Sequence, residues 1–331
     1  MSLLISKSTK STRNNMIQVF RALSIIAVVM IHTTPSGEWQ VFCRPFINFS
    51  VATFLFLSGY LTKIENDNWY AFCKKRIIRV IIPYIIWTTV YTLPQILSGG
   101  SILLLAKNLI TAKSAAIMYY ILVYIQFVLL TPLLGNLAKS KYRHLGWFIT
   151  PIYTLIFKYY VLFTGCENVY VSQFWYTPCF VWFTYYYLGL LLGNKIINSK
   201  YSLKTLVLLY IASIALEMVE GYGWFLLGSV NCGSSLKLSS ALASSIFILI
   251  VYNVLNKHIN IKSKFLSSLG DYSFGIYLCH IMIMMVLTRI YYYTIIPYPL
   301  TSVIVILISW VFCYIGNRVL GNRISGWIGF K

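Results

Sequence analysis

Acidic residues are scarce in this chain, since Asp and Glu together number 7 among 331 residues. Charged residues of both signs make up only 10% of the sequence, whereas a soluble globular domain carries about 25%. Hydrophobic residues make up 59%, and Tyr (27) and Trp (9) are plentiful, as the aromatic belts at membrane interfaces require. This balance excludes a soluble globular protein and predicts a polytopic membrane protein.

The cysteine and charge patterns argue against two further classes. The 7 cysteines show no C-x-x-C spacing and no metal-type cluster, so we expect no bound metal. The net charge of +20 does not indicate nucleic-acid binding, because the basic residues fall in short clusters between apolar runs. No small-residue cleavage site follows the first apolar run, so we expect a retained first span rather than a secretory signal peptide.

Apolar windows of about 20 residues, enough for a helix to cross about 30 Å of hydrocarbon, recur along the chain. They are centred near Ile26, Phe54, Trp87, Tyr124, Tyr153, Trp182, Leu209, Phe247, Met282 and Leu307. We therefore predict an all-α membrane helix bundle with about ten transmembrane helices. Its domain organisation would be a membrane domain over 16–320, flanked by cytoplasmic tails at 1–15 and 321–331.

The basic residues predict the orientation of these spans. With the N-terminus inside, 20 of the 27 Lys and Arg residues fall in inner segments and 6 in outer ones, and Arg21 lies within the first span. Because short cytoplasmic loops are enriched in Lys and Arg, this asymmetry predicts cytoplasmic termini and an even number of spans. Cys166 and Cys232 then both lie on the outer side, where a disulfide between them is one hypothesis.

The first span carries an arginine near one end and a histidine near the other. Eleven positions separate Arg21 from His32, which places both side chains on one helix face about 16 Å apart. Ionisable groups within a span normally face the bundle interior or a wet cavity, so the pair is a candidate functional site. Taken singly, Arg21 is also explained by snorkelling to the headgroups and His32 by capping the far end of the helix.

The second and third spans add a candidate anion site. Arg76 and Arg79 stand at i and i+3 on one face of a predicted helix N-terminus, where guanidiniums, free amides and the helix dipole suit a phosphate. The alternative is ordinary topogenic charge, and the choice of Arg over Lys favours phosphate. In the preceding span, Ser58 and Gly59 permit either close helix packing or room for a ligand, and packing is the stronger interpretation for Gly59.

Two further polar pairs lie in the ninth and seventh predicted spans. Tyr277 and His280 share a face about one turn apart, and His280 is either a helix-to-helix hydrogen-bonding group or a functional residue. Asp271, just before them, is expected to cap that helix. Glu217 and Glu220, near the outer end of the seventh span, would bind an acceptor, orient an imidazole or sit in headgroup water. The glycine-rich loop after them is expected to be a lip over a pocket or an ordinary outer loop.

Four of these motifs occur together in one protein family. Their order is Arg-x10-His in the first span, SG in the second, RxxR followed by Pro83 in the third, and SFGIYLCH in the ninth. In this order the chain resembles the acyltransferase 3 family of integral membrane proteins over nearly its whole length. The stretch VVMIHTT, the chain length and the lack of an appended soluble domain resemble the stand-alone members that O-acetylate surface polysaccharides, including the enterobacterial common antigen acetyltransferase.

One departure from the family pattern concerns the neighbours of Arg21. Members commonly carry an aspartate three residues before the arginine and a glycine directly after it. This chain has Gln18 and Ala22 at those positions. A carboxylate partner for Arg21 is therefore not expected from its own helix.

The resemblance implies an enzyme of the bacterial inner membrane that transfers acetyl, or another acyl group, from cytosolic acyl-CoA. The acceptor would be a hydroxyl of a glycan or lipid-linked saccharide at the outer face. His32 would be the general base, because a neutral imidazole predominates at pH 7 and accepts the hydroxyl proton. His280 or Tyr277 would stabilise the oxyanion or orient the acceptor. The residues expected to bind acetyl-CoA are Arg76, Arg79, Arg21, Ser58 and Gly59.

Two alternatives from other functional classes stay open at this point. A transporter or flippase of a glycan precursor would move its substrate without consuming acetyl-CoA. A receptor or scaffold with a vestigial site would not bind coenzyme A at all.

Overall fold

The structure is a computed structural model that describes residues 15–164, 176–257, 261–290 and 296–330. The described residues form helices and their connections, and no strand occurs among them, which confirms the predicted all-α class. The α-helices are α1 (Asn15–Thr33), α2 (Glu38–Cys43), α3 (Phe49–Tyr60), α4 (Trp69–Leu97), α5 (Leu103–Thr111), α6 (Tyr119–Lys139), α7 (Ile149–Tyr153), α8 (Tyr160–Thr164), α9 (Phe183–Gly193), α10 (Leu203–Leu226), α11 (Leu238–Asn256), α12 (Lys264–Asp271), α13 (Ser273–Arg289) and α14 (Leu300–Trp327). Short 3-10 segments cover Arg44–Phe46, Arg143–Trp147 and Cys179–Trp182, and a π-helical segment covers Thr154–Tyr159.

Six helical stretches among the described residues are long and apolar enough to cross a membrane. They are Asn15–Thr33, Glu38–Tyr60, Trp69–Leu97, Tyr119–Lys139, Leu238–Asn256 and Leu300–Trp327. Helices α12 and α13 form a seventh candidate if the 75° bend between them lies within one span. The three other predicted windows fall on helices outside this set, so the expected number of ten spans is not confirmed. The cytoplasmic location of both termini stays a prediction.

Helix α1 lies at the centre of the bundle, where it packs against α3, α12, α13 and α14. Gln18 on α1 is buried, and the α12 backbone passes directly over it. A Cβ atom at Gly270 would overlap the Gln18 carbonyl oxygen, so only glycine permits this approach. The same central helix therefore holds Arg21 and His32 within the protein rather than against lipid.

Helices α3 and α9 pack backbone against backbone through glycine. A Cβ atom at Gly59 would overlap the carbonyl oxygen of Tyr186, and Cβ atoms at Gly189 and Gly193 would meet the α3 backbone in the same way. This confirms close helix packing for Gly59. The alternative, a small residue that leaves room for a ligand, is wrong for Gly59 because its missing side chain is replaced by another helix.

Gly59→Ala is expected to destabilise the protein by about 1–3 kcal/mol, because the added methyl group forces two helix backbones apart. Gly223→Ala is the matched control on α10, since no atom beyond the helix's own adjacent backbone lies within 4 Å of a Cβ atom built there. In that open helical site alanine is expected to be neutral or slightly stabilising. Thermal unfolding of both variants in detergent measures the difference. A Gly59→Ala protein that melts no earlier than Gly223→Ala would contradict this packing account.

The chain bends sharply where α12 meets α13. The two helices meet at 75°, with Asp271 ending α12 and Tyr272 at the N-cap position of α13. The N-cap residue of α13 is thus Tyr272, which makes no side-chain cap bond, and not Asp271 as expected. The bend instead places Asp271 and the first turn of α13 together at the wall of a cavity.

The predicted C-terminal tail is part of the folded bundle. Helix α14 continues through a kink at Gly321 (φ 70°, ψ 170°) to Trp327. Trp87 Nε1 then donates a hydrogen bond to the Ile328 carbonyl oxygen at 3.0 Å, and Phe330 is buried against Gly316. The segment 321–330 is therefore docked on the membrane domain, which differs from the predicted boundary at 320.

Candidate active site

The first of two cavities along α1 contains three guanidinium groups, and we call it the arginine cavity. It has a volume of about 390 Å³ and lies between α1, α3, α4, α6 and the bend from α12 to α13. Its polar lining comprises Arg21, Ser58, Arg76, Arg79, Tyr120, Tyr124, Asp271, Ser273 and Tyr277. The two arginines of α4 thus share one cavity with the arginine of α1, as an anion site requires.

The α4 arginines do not lie at a helix N-terminus. Helix α4 begins at Trp69, and Asn68 caps it by accepting a hydrogen bond from the Ala71 amide at 2.9 Å. Arg76 and Arg79 stand about two turns further on, so free amides and the helix dipole do not contribute at their position. The expected position at a helix terminus is wrong, and a candidate anion site here would consist of side chains. Arg76 Nη1 is oriented by a 2.8 Å hydrogen bond to Thr62 Oγ1.

The second cavity, which we call the histidine cavity, has a volume of about 370 Å³ and contains His32. Its walls come from α1, from the turn after α2, from the start of α6 and from the loop before α11. The polar lining comprises His32, Arg44, Asn48, Ser50, Thr111, Tyr119, Tyr176, Thr177, Asn231, Ser234, Ser235 and Tyr277. Residues of the glycine-rich loop after α10 thus line this pocket. This position agrees with one of the two predictions for the loop, a lip over a pocket.

Tyr277 lines both cavities and is therefore their shared wall. Its hydroxyl donates a hydrogen bond to the Ile117 carbonyl oxygen, and its ring lies 5.5 Å from the ring of Tyr120, centroid to centroid. The neighbouring Tyr119 faces the histidine cavity, whereas Tyr120 faces the arginine cavity. Tyrosine side chains at the start of α6 and on α13 therefore separate the two compartments.

A second imidazole lies behind His32. The ring centroids of His32 and His280 are 5.4 Å apart, and His280 is fully buried and lines neither cavity. Its Nδ1 lies 2.9 Å from the Ile276 carbonyl oxygen, so Nδ1 carries the proton because a carbonyl can only accept. Nε2 is then a lone-pair acceptor, buried and without a partner in the described part of the chain. The His32 ring is the imidazole closest to this nitrogen among the described residues.

Comparison with known proteins decides the class of this site. The acyltransferase domain family known as acyltransferase 3 matches residues 14–318. The chain belongs to the acyltransferase 3 family. No curated protein and no solved structure matches the chain. It is accordingly an integral membrane acyltransferase, and both cavities lie within the matched region.

The predicted site residues of this acyltransferase lie in different places relative to the two cavities. Those that line the arginine cavity are Arg21, Ser58, Arg76 and Arg79; His32 lines the histidine cavity, and Tyr277 lines both. Gly59, His280, Glu217 and Glu220 line neither cavity. The R-x10-H helix therefore connects the two compartments, because α1 is unbroken from Asn15 to Thr33.

Glu217 lies behind the wall of the histidine cavity. It is fully buried, so a position in headgroup water is wrong for it. Its Oε1 accepts hydrogen bonds from Asn48 Nδ2 and from Ser240 Oγ, the latter at 2.6 Å. Asn48 also donates to the Gly233 carbonyl oxygen at 3.2 Å. Asn48 lines the cavity with both amide hydrogens used, and its Oδ1 atom is buried without a hydrogen-bond partner among the described residues.

Glu220 connects α10 to the start of α11 and to Tyr159. Its carboxylate accepts a hydrogen bond from the Tyr159 hydroxyl and one from the Ser239 amide, the latter at 2.9 Å. The Ser239 amide is one of the free donors in the first turn of α11, so Glu220 caps that helix from α10. Direct binding of an acceptor by either glutamate does not agree with these positions, since neither side chain lines a cavity, both Glu220 oxygens and Glu217 Oε1 are bonded to protein groups, and Glu217 Oε2 is buried.

Three groups of this site were not singled out from the sequence. Arg44 was counted among the outer basic residues, and Asn48 and Tyr119 carried no motif. Arg44 opens a 3-10 turn at Pro45, which breaks the second apolar window and turns the side chain into the histidine cavity. An Arg-Pro pair inside an apolar window is the one signal that would have drawn attention to this position.

The buried Lys237 belongs to the same wall. Its Nζ donates to the Cys232 carbonyl oxygen at 2.7 Å, and burial lowers the pKa of the ammonium group while Glu217 opposes that shift. Cys232 is buried with a free thiol, and its hypothetical disulfide partner Cys166 lies outside the described residues. In the arginine cavity, Asp271 contributes a carboxylate to the same lining as Arg21, whose own helix has Gln18 three residues before it.

Proposed function

We propose that this acyltransferase transfers an acetyl, or another small acyl group, from cytosolic acyl-CoA to a hydroxyl of a cell-surface or lipid-linked glycan. The protein would act in the bacterial inner membrane, with the acceptor at the outer face. The observation that carries the proposal is the pair of cavities at opposite ends of one helix face, which share Tyr277 as a wall.

The arginine cavity suits the donor. Three guanidiniums in one space match the phosphates of acetyl-CoA, because arginine binds phosphate through paired, charge-assisted hydrogen bonds. Ser58 adds a hydroxyl to the same lining. Arg21 and His32 are about 16 Å apart along α1, a distance comparable to an extended pantetheine arm. A donor anchored by its phosphates at Arg76 and Arg79 would therefore bring its thioester towards His32, past Tyr277.

The histidine cavity suits the transfer step. The acceptor hydroxyl oxygen forms a bond to the thioester carbonyl carbon while a His32 nitrogen takes the hydroxyl proton. Collapse of the tetrahedral intermediate breaks the carbon–sulfur bond, and the proton on His32 passes to the departing thiolate. Asn48 lines the same cavity with its amide group fixed by Glu217 and Gly233, and it would bind a second hydroxyl of the acceptor.

His280 and Tyr277 have different roles in this scheme. His280 does not reach the cavity, so we assign it as a positioning residue whose unpartnered Nε2 would accept an N–H of His32 during the reaction. That interaction leaves the other His32 nitrogen free to act as the base. Tyr277 lies where the two cavities adjoin, and its hydroxyl would stabilise the thioester oxyanion after leaving the Ile117 carbonyl oxygen.

The proposed function is tested with purified full-length protein in detergent. Acetyl-CoA is expected to raise the melting temperature, and a hydroxyl-bearing saccharide is expected to accelerate the release of free coenzyme A thiol. A flippase or transporter would move a glycan without thiol release, and a scaffold would show no thermal shift. Absence of both the shift and the thiol signal would exclude the proposal.

A further inference from the structure

The charge in the histidine cavity comes from one side chain. Among the described residues that line it, Arg44 carries the only formal charge, and hydroxyl and amide groups supply the rest of the polar surface. A neutral sugar needs only such hydroxyls and amides for recognition. A guanidinium in the same wall has a large desolvation cost, which a bound anion would offset.

Arg44 lines the cavity with a guanidinium group that has unused donors. Its Nη2 donates to the Ile31 carbonyl oxygen at 3.3 Å, while its Nε is buried without a hydrogen-bond partner. A guanidinium has five N–H donors in a rigid, planar arrangement, so most of its capacity is available. In the part of the chain that the structure describes, Glu217 lies behind the wall with its Oε1 bonded to Asn48 and Ser240, and Arg44 has no ion pair with it.

The backbone around Arg44 sets the direction of its side chain. Gly233 lies flat against the arginine, and a Cβ atom there would stand 2.5 Å from Arg44 Cδ. The bond to Ile31 fixes the guanidinium beside the residue that precedes His32. An oxyanion bound at Arg44 would therefore hold the rest of its ligand close to the proposed base.

We propose that the acceptor is an anionic saccharide whose carboxylate or phosphate is bound by Arg44, with a neighbouring hydroxyl directed to His32. This inference rests on the proposed function for the identity of the histidine cavity as the acceptor site. Carboxylate and phosphate each present two oxygens that the planar guanidinium group of arginine can bind together. Arg44 is accordingly a determinant of acceptor specificity, and the hydroxyl and amide side chains of the same lining serve the sugar hydroxyls.

Matched sugar probes test this proposal. Methyl glucuronide, glucose 6-phosphate and methyl glucoside are titrated into the purified full-length protein in lipid nanodiscs. The wild-type protein is expected to bind at least one anionic probe about tenfold or more tightly than the neutral one. Arg44→Gln is expected to bind all three alike. Arg44→Lys keeps the charge without the planar fork and should retain a reduced preference.

Lys107→Gln is the matched control, because it removes one exposed positive charge from α5 outside both cavity linings. It should keep the full anionic preference. A wild-type protein without that preference would overturn the proposal, and so would a preference that survives in Arg44→Gln. Acetyl-CoA stabilisation, measured on the same samples, separates the two hypotheses. Anionic preference without acetyl-CoA binding would refute the proposed function and leave Arg44 as an anion-binding residue of the histidine cavity, whereas acetyl-CoA binding without anionic preference would refute this inference alone.

Discussion

His32→Ala is expected to lower the rate of acetyl transfer by about 100- to 10,000-fold, the range of a lost general base. The physical reason is that no other imidazole reaches the acceptor space among the described residues, since His280 lies behind His32 and lines neither cavity. Binding of acetyl-CoA should persist, because the arginines that we propose to bind its phosphates lie in the other cavity. Thiol release with saturating acetyl-CoA and acceptor measures the effect.

The control for this variant is His144→Ala. His144 is exposed in the 3-10 segment Arg143–Trp147, away from both cavities, and its removal should leave transfer unchanged. The melting temperature of each variant shows whether the protein remains folded. A His32→Ala protein that is folded and transfers acetyl at the wild-type rate would rule out His32 as the base.

Removal of both α4 guanidiniums is the second large effect that we expect. The Arg76→Ala, Arg79→Ala double variant should weaken acetyl-CoA binding by about 100-fold or more, because each charge-assisted contact to a phosphate contributes about 1.5–3 kcal/mol. The stabilisation that a ligand provides falls directly with its affinity. The thermal shift at a fixed acetyl-CoA concentration should therefore be lost.

Two controls make this result specific to phosphate. Lys74 and Lys75 are exposed on the same helix and do not line the arginine cavity, so the double alanine variant at those positions removes equal charge and should keep the shift. Acetyl-pantetheine, which lacks the nucleotide phosphates, should bind the arginine double variant and the wild type alike. If the arginine variant keeps its acetyl-CoA shift, the donor phosphates do not bind at Arg76 and Arg79.

Local sequence patterns predicted the parts of the site that one helix determines. The Arg21–His32 spacing and the Arg76–Arg79 spacing depend only on helix periodicity, and the structure places each pair beside cavities as that periodicity requires. The predicted start of α4 was wrong because Asn68 and Trp69 extend the helix before the basic cluster. The polar segment before the basic cluster has no sequence pattern that would have predicted this longer helix.

Gly59 shows where local patterns reach their limit. Small residues in a membrane helix allow either packing or a ligand, and the outcome depends on which helix lies opposite. Gly189 and Gly193 on α9 settle it, since they bring that backbone into contact with α3. Ser58, one position earlier, faces the arginine cavity instead. Two adjacent residues thus have different roles, and only the arrangement of helices separates them.

The sequence by itself determined the membrane class, the all-helical fold and the order of motifs along α1, α3, α4 and α13, because composition and helix periodicity are local properties. Only the tertiary structure decided how the histidine cavity is built. Asn48, Glu217 and Ser240 come from three separate parts of the chain, and their hydrogen bonds form when α3, α10 and α11 pack together. Arg44 and Tyr277 acquire their positions in the same way, from contacts between distant segments that no spacing along the chain expresses.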